Sequence, residues 1–432
     1  MAGIVYSTKL TFQIRLVPAI RFFWPTSTEP RFVSHNRQAI VRQIVPLGLL
    51  PLAILMTGCP TSRVDDAAVT LVATGISPKM DESDVASTSD VTSADDSAAP
   101  DALHLLVEQT LKANLQGRRL ATDVNAAWQV MHGVLAYGRD FSVATASGPQ
   151  PAVTYILGGG PIKGFLLRGG DKFEIDGRTV RGVVAELDPG QKIGQGHRDQ
   201  WVAYMARCDL KPSDVVVTTD GPLTVEGWIR QIEWDIPRNF EGEYSWTLTA
   251  LLAHRPTTHR WTARDGSDYS IESLLESEVS QLAPSNACGG SHRLCAIAAA
   301  VMRHRDAGHP ITGVWADAEM IVEMAIEQSR DFQNADGSFS SHYFERPGWS
   351  PDLVAMLGTS GHVFEFLAVA GTDEMLREPW MEKAARSLCK VLERTSNIDL
   401  ECGALYHALS GLSIYEERIR KNPQTVAASN GT

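Results

Sequence analysis

The sequence predicts a mainly α-helical body of about five to six stacked helical hairpins with a small β-hairpin insertion. Three observations lead there. Between Ala287 and Glu416 one unit recurs: a glycine-bearing turn, a histidine or polar residue, then an amphipathic helix. It reads Cys288-Gly-Gly-Ser-His292, Gln333-Asn-Ala-Asp-Gly-Ser-Phe339, Leu357-Gly-Thr-Ser-Gly-His362 and Glu401-Cys-Gly-Ala-Leu-Tyr-His407. Apolar residues recur at helical spacing from residue 102 onward, and clustered glycines interrupt that period between Tyr155 and Val184.

The N-terminus speaks for location. Residues 1–58 hold six Lys or Arg against the single Glu29, and the last of these, Arg31, Arg37 and Arg42, precede an apolar run from Ile44 to Met56. That run is too short to span a bilayer comfortably and suits a signal-peptide core. It ends in Leu55-Met56-Thr57-Gly58-Cys59, which resembles the lipobox of bacterial lipoproteins. The resemblance implies that Cys59 is acylated and becomes the first mature residue, anchoring the chain to a membrane. Residues 59–101 then turn to Asp, Ser, Thr and Ala, a composition with too little apolar surface to order a backbone, so a disordered acidic tether is expected. From Pro60 to Asp101 nine acids stand against Arg63 and Lys79, a net −7 within the whole chain's −12. The overall acidity therefore describes the tether more than a binding face, and no basic cluster suggests nucleic acid.

The body, residues 102–420, reads as one domain, followed by a flexible tail from 421 to 432. Asp101 can cap a helix with Leu103, Leu106, Val107 and Leu111 on its apolar side, and Thr122 or Asp123 a second with Ala127, Val130, Met131 and Val134. Helical periods follow at 199–208, 225–234, 244–254, 271–282, 291–304, 316–332, 351–369, 380–394 and 404–419. Near 155–184, Gly158-Gly-Gly160, Gly169-Gly170 and Asp176-Gly177 separate β-type runs such as Phe165-Leu-Leu167, the mark of a β-hairpin.

Gln333-Asn-Ala-Asp336-Gly337-Ser338-Phe339 resembles the turn of the terpenoid cyclase and protein prenyltransferase superfamily, and Leu405-Tyr-His-Ala-Leu-Ser-Gly-Leu-Ser-Ile414 is similar to the closing helix of prenyltransferase β-subunits. The resemblance implies an α/α toroid of inner and outer helices. It carries no activity over. The acidic run of the cyclases is missing, Asp317-Ala-Glu319 being the nearest sequence. Asp399 and Cys402 stand too close to His407 for the prenyltransferase zinc set, and Cys288-Gly-Gly-Ser lacks the Gln of thioester proteins.

In such a toroid, helix starts gather at one mouth of a central cavity, where His197, His292 and His362 are candidate acids, bases or metal ligands, with His407 a turn further in and His132 within an early helix. Glu243, opening the helix at Glu241-Gly-Glu243-Tyr-Ser-Trp246, is a candidate partner, as are Asp199 and Glu365, and Trp201, Trp246 and Tyr343 are candidate ligand-stacking residues. For each, a packed or capping role is the alternative. A nucleophilic Cys288 at a helix start is conceivable, and Cys389 with Cys402 can pair as a disulfide across a hairpin. No metal or cofactor is assigned by spacing. The function expected from the sequence is a lipid-anchored protein of the bacterial cell envelope whose cavity binds a ligand or partner, a polysaccharide or an envelope protein. The alternative is a toroid-type lyase or hydrolase acting on an envelope polymer, and polyprenyl chemistry comes last.

Overall fold

A computed structural model of the chain describes residues 100–175, 177–187, 199–239 and 243–421. All lie within one compact unit, Thr70–Thr432. The signal segment, Cys59, residues 59–99 of the tether, His197 and the tail beyond 421 lie outside the described residues.

The described residues are mainly helical. They form twelve helices: α1 (Pro100–Gly117), α2 (Ala127–Tyr137), α3 (Ala152–Leu157), α4 (Gln200–Tyr204), α5 (Val225–Asp235), α6 (Ser245–Leu252), α7 (Ile271–Ser280), α8 (Ser291–Asp306), α9 (Val314–Asp331), α10 (Leu353–Ala370), α11 (Pro379–Arg394) and α12 (Cys402–Lys421). Their starts follow elementary capping. The Asp352 carboxylate accepts from the amides of Val354 and Ala355 at the head of α10, and Ser270 and Ser273 form a reciprocal box at the head of α7. Pro379 opens α11, whose buried Met381, Ala384, Ala385, Leu388, Val391 and Leu392 repeat at helical spacing. Helix α10 is apolar and long enough to cross a membrane, but eleven of its residues are buried against its neighbours, so its hydropathy is that of a core helix.

The helices pack in an ordered succession: α2 on α4, α4 on α6, α6 on α8, α8 on α10, α10 on α12, and α12 on α2. Helix α1 packs on α11 and α12, α7 on α6, α8 and α9, α9 on α8 and α10, and α11 on α10. The Gln333–Phe339 turn ties three of them together. Gln333 Nε2 donates to the Trp380 carbonyl of α11 at 2.9 Å, Asp336 Oδ1 accepts from the Ser338 amide at 2.9 Å, and the buried Phe339 donates its amide to Ser360 Oγ of α10.

Several expectations need correcting. The second helix starts at Ala127, after Ala126, whose amide donates to Gln129 Oε1 at 3.0 Å, so neither Thr122 nor Asp123 caps it. The first helix already includes Pro100, which puts Asp101 inside it. The insertion hairpin is β3 (Phe165–Ile175) with β4 (Arg178–Leu187), and part of the stretch expected as β-structure is the short helix α3. Three more two-stranded hairpins were not anticipated: β1 (Ser142–Thr145) with β2 (Gly148–Pro151), β5 (Val215–Thr218) with β6 (Gly221–Thr224), and β7 (Arg260–Thr262) with β8 (Asp268–Ser270). Each runs straight into a helix, α3, α5 or α7. The first two close alike, with Thr145 Oγ1 donating to the Gly148 carbonyl and Thr218 Oγ1 to the Gly221 carbonyl. Cys389 and Cys402 are buried and free, so the disulfide between them is absent; Cys208, also buried, and the partly buried Cys288 and Cys295 are free as well.

Candidate functional site

Because α8, α10, α12 and α2 pack in succession, histidines distant in sequence meet. His292 stands at the head of α8, His407 in the second turn of α12, and His132 and His362 midway along α2 and α10, so His362 is not at a helix start as expected. The His362 and His407 ring centroids lie 4.2 Å apart, His292 and His407 4.9 Å, His292 and His362 5.3 Å, and His132 and His407 5.3 Å. Two glycines allow the approach of α10 and α12. A Cβ on Gly361 would sit 2.8 Å from Ala408 Cβ, and one on Gly411 would sit 2.9 Å from the Glu365 backbone.

Cys288 completes the cluster. It lies in a turn of three successive left-handed residues, Cys288 (φ 51°), Gly289 (φ 64°) and Gly290 (φ 82°), which brings the thiol over the head of α8. Gly289 is required twice over, by its φ and because an added Cβ would strike the Tyr343 ring at 2.3 Å. One donor atom each from Cys288, His292 and His362 lies within 4.8 Å of the other two, so these three residues can hold a metal ion.

Hydrogen bonds fix most of the rings. His362 Nδ1 donates to the Gly358 carbonyl at 2.6 Å, which leaves Nε2 to face the cluster. His132 Nδ1 donates to the Trp128 carbonyl at 2.7 Å and its Nε2 accepts from the Tyr204 hydroxyl at 3.2 Å. His407 Nδ1 and Glu365 Oε2 are 2.6 Å apart. His292 is the exception: both ring nitrogens are buried without a nitrogen or oxygen partner, and the ring interacts with the Cys288 sulfur instead.

The electrostatics follow from burial and proximity. Burial by itself would raise the Cys288 thiol, yet His362 and His292 pull it down to about 5. Burial would lower His362, and the Cys288 thiolate instead raises it to about 9. Each group thus favours the charged form of the other, thiolate with imidazolium. Burial depresses His292 to about 4 and His132 to about 3, and holds His407 well below its usual value with His362 adding to the effect. Burial also raises Glu365. Burial thus pushes both partners of the Glu365–His407 pair toward their neutral forms, and the two are joined by a short hydrogen bond.

Below the histidines lies a cavity of about 390 Å³ whose walls are mostly apolar, including Leu135, Ala203, Leu252, Ala299, Met302 and Ile414. His292, His407, Glu365, Tyr204 and Trp246 line it too, as do Arg207 beyond the end of α4, Arg303 and Asp306 on α8, and Arg418 on α12. Cys288 is not among the lining residues. A larger surface hollow of about 940 Å³ beside Tyr137 and Glu416 holds no such cluster, and its charges pair locally, as in Arg207 with Glu417 at 2.9 Å.

The structure thus brings together His292, His362, His407 and Trp246, whose ring lies 5.1 Å from that of His292, with Tyr343 further off at 6.5 Å from His362. Trp201 is 2 % exposed, packs on Phe165 and lies apart from the cavity. Glu243 sits before α6, where its carboxylate accepts from Ser245 Oγ at 2.6 Å, and it does not line the cavity. Asp199 accepts from Thr247 Oγ1 at 2.5 Å. Tyr204 carries no signal in the sequence, and His132 is visible there only as a histidine within an early helix. Glu365 was read as a partner for His362 but reaches His407. The signal for Cys288 was the four-residue step to His292, which places both at one helix end.

No family model matches the chain, and neither a curated protein nor a solved structure matches it. The site has to be read from its own geometry.

Proposed function

We propose that the chain is a lipid-anchored enzyme of the cell envelope, a hydrolase or lyase whose helices close into an α/α toroid around the histidine cluster. The order of packing supports the toroid, since α2, α4, α6, α8, α10 and α12 touch in turn and α12 returns to α2. The motif at Cys59 supports the anchor.

One observation carries the enzyme reading over ligand binding without turnover: a cysteine sulfur, four imidazoles and a carboxyl group, contributed by four helices and a turn, converge in the interior. A binding site gains nothing from burying six titratable groups together, whereas acid–base chemistry needs groups held in different protonation states. The His407–Glu365 pair reaches the cavity and can pass a proton to or from a bound substrate. Apolar walls offer a sugar few hydrogen bonds, so the part of the substrate that enters is an acyl or other apolar group, and a polysaccharide fits this cavity least.

The test is turnover by the purified full chain on carboxylic esters and amides of increasing acyl length, with envelope polysaccharides alongside. Hydrolysis is expected to rise with acyl length and to fall about 10²- to 10⁴-fold in Glu365→Gln and His407→Gln. Turnover that both folded variants retain would overturn the assignment of the site. If the folded wild-type chain turns over nothing on the panel, ligand binding becomes the better reading.

A further inference from the structure

We infer that Cys288, His292 and His362 form a mononuclear zinc site, an inference that rests on the reading of this cluster as the reactive centre. The donor set is one thiolate and two imidazoles, which suits zinc and similar borderline-soft ions and does not suit magnesium or calcium, whose ligands are oxygens. Three protein ligands with a fourth position left for water is the pattern of catalytic zinc.

Two observations independent of the clustering point to a cation. The first is His292, whose two ring nitrogens are buried with no nitrogen or oxygen partner, the Cys288 sulfur standing beside the ring. A metal ion would take the lone pair of one of them. The second is His362, where the bond from Nδ1 to the Gly358 carbonyl leaves Nε2 facing Cys288 and His292, and a metal ion binding there would displace the Nε2 proton. A backbone carbonyl behind a ligating histidine serves this purpose at metal sites in general. Zinc draws such donors to about 3.3–3.8 Å from one another. Closing from the 4.8 Å limit takes small side-chain rotations. His407 stays outside the ligand set, with its Nδ1 committed to Glu365, and its ring lies 4.2 Å and 4.9 Å from those of His362 and His292. It is therefore the group beside the open position, where zinc would bring the pKa of a bound water to about 7.

The site is tested by metal binding, which can be read whether or not a substrate is known. The purified full chain is stripped with dipicolinate and titrated with Zn²⁺ against a chromophoric chelator, and then with Co²⁺ followed by absorption. One equivalent of zinc is expected, and the cobalt form should give four-coordinate d–d bands with a thiolate-to-cobalt charge-transfer band. Cys288→Ser should lose the charge-transfer band. His292→Ala and His362→Ala should weaken zinc binding by about 100-fold or more, beyond the usual loss from removing an outer-sphere partner. Cys295→Ser should change nothing. A measurement without variants guards against misfolding: zinc, but not magnesium, should protect Cys288 of the wild-type chain from iodoacetamide, mapped by mass spectrometry. Less than stoichiometric binding, a cobalt spectrum without the thiolate band, or an unprotected Cys288 overturns the zinc site. If zinc fails to bind while His407→Gln still abolishes turnover, the catalytic reading stands without metal.

Discussion

His132 shows what burial does to a titratable side chain when every polar atom is satisfied. Its Nδ1 is bonded to the Trp128 carbonyl, its Nε2 to the Tyr204 hydroxyl, and its ring is held neutral with a pKa of about 3. In the unfolded chain a histidine titrates near 6.5. The folded form binds fewer protons in between, so this contribution to stability is fully present above about pH 6.5 and is lost as pH falls toward 3, at about 1.4 kcal/mol for each pH unit. His292 and His407, also lowered, act with the same sign. Urea unfolding between pH 7 and pH 5 should therefore show stability falling with acid. His132→Gln, which keeps one donor and one acceptor, should reduce the slope by about one proton. Equal slopes in the two proteins would refute the assignment. At this scale the sequence was a partial guide. It singled out His292, His362 and His407, because histidine beside glycine near a helix start is visible as a pattern. It placed His132 only within an early helix, and what brings that residue into the cluster is the three rings around it.

At the scale of elements, helix α10 contains a paired test. Gly358 and Gly361 lie one turn apart on that helix. A Cβ on Gly358 would find only Ala404 Cβ at 3.6 Å, an ordinary contact, while one on Gly361 would meet Ala408 Cβ at 2.8 Å and its backbone at 3.0 Å. Gly358→Ala should stabilise the protein by up to about 1 kcal/mol through helix propensity. Gly361→Ala should destabilise it by about 1–3 kcal/mol, because α10 and α12 must move apart. Chemical denaturation of both variants checks the opposite signs, and a stabilised Gly361→Ala would contradict the close packing described here. Element types were the most legible part of the sequence. Each expected helical period falls on a helix, since apolar spacing and capping residues are local properties. The hairpins before α3, α5 and α7 escaped because their strands are three or four residues long, too short for alternation to register. The shared Thr145-Ala-Ser-Gly-Pro149 and Thr218-Thr-Asp-Gly-Pro222 was the available cue.

At the scale of the whole molecule, the anchor is a matter for experiment on the intact chain. In a bacterial host, Cys59→Ser should abolish lipid labelling and move the protein from the detergent phase to the aqueous phase of a Triton X-114 partition. Lipid labelling that survives the substitution would exclude Cys59 as the acceptor. By itself the sequence determined that the body is helical and where its helices run. It also determined the geometry of the Gln333–Phe339 turn and the short list of histidines worth following, because all of these depend on residues close together along the chain. Only the tertiary structure decided that His362 faces His407, that Glu365 serves His407, that Trp246 lines the cavity while Trp201 does not, and that Cys288 belongs with two imidazoles. Periodicity says which side of a helix turns inward. It does not say which helix stands opposite, and the chemistry of a buried group is set by that neighbour.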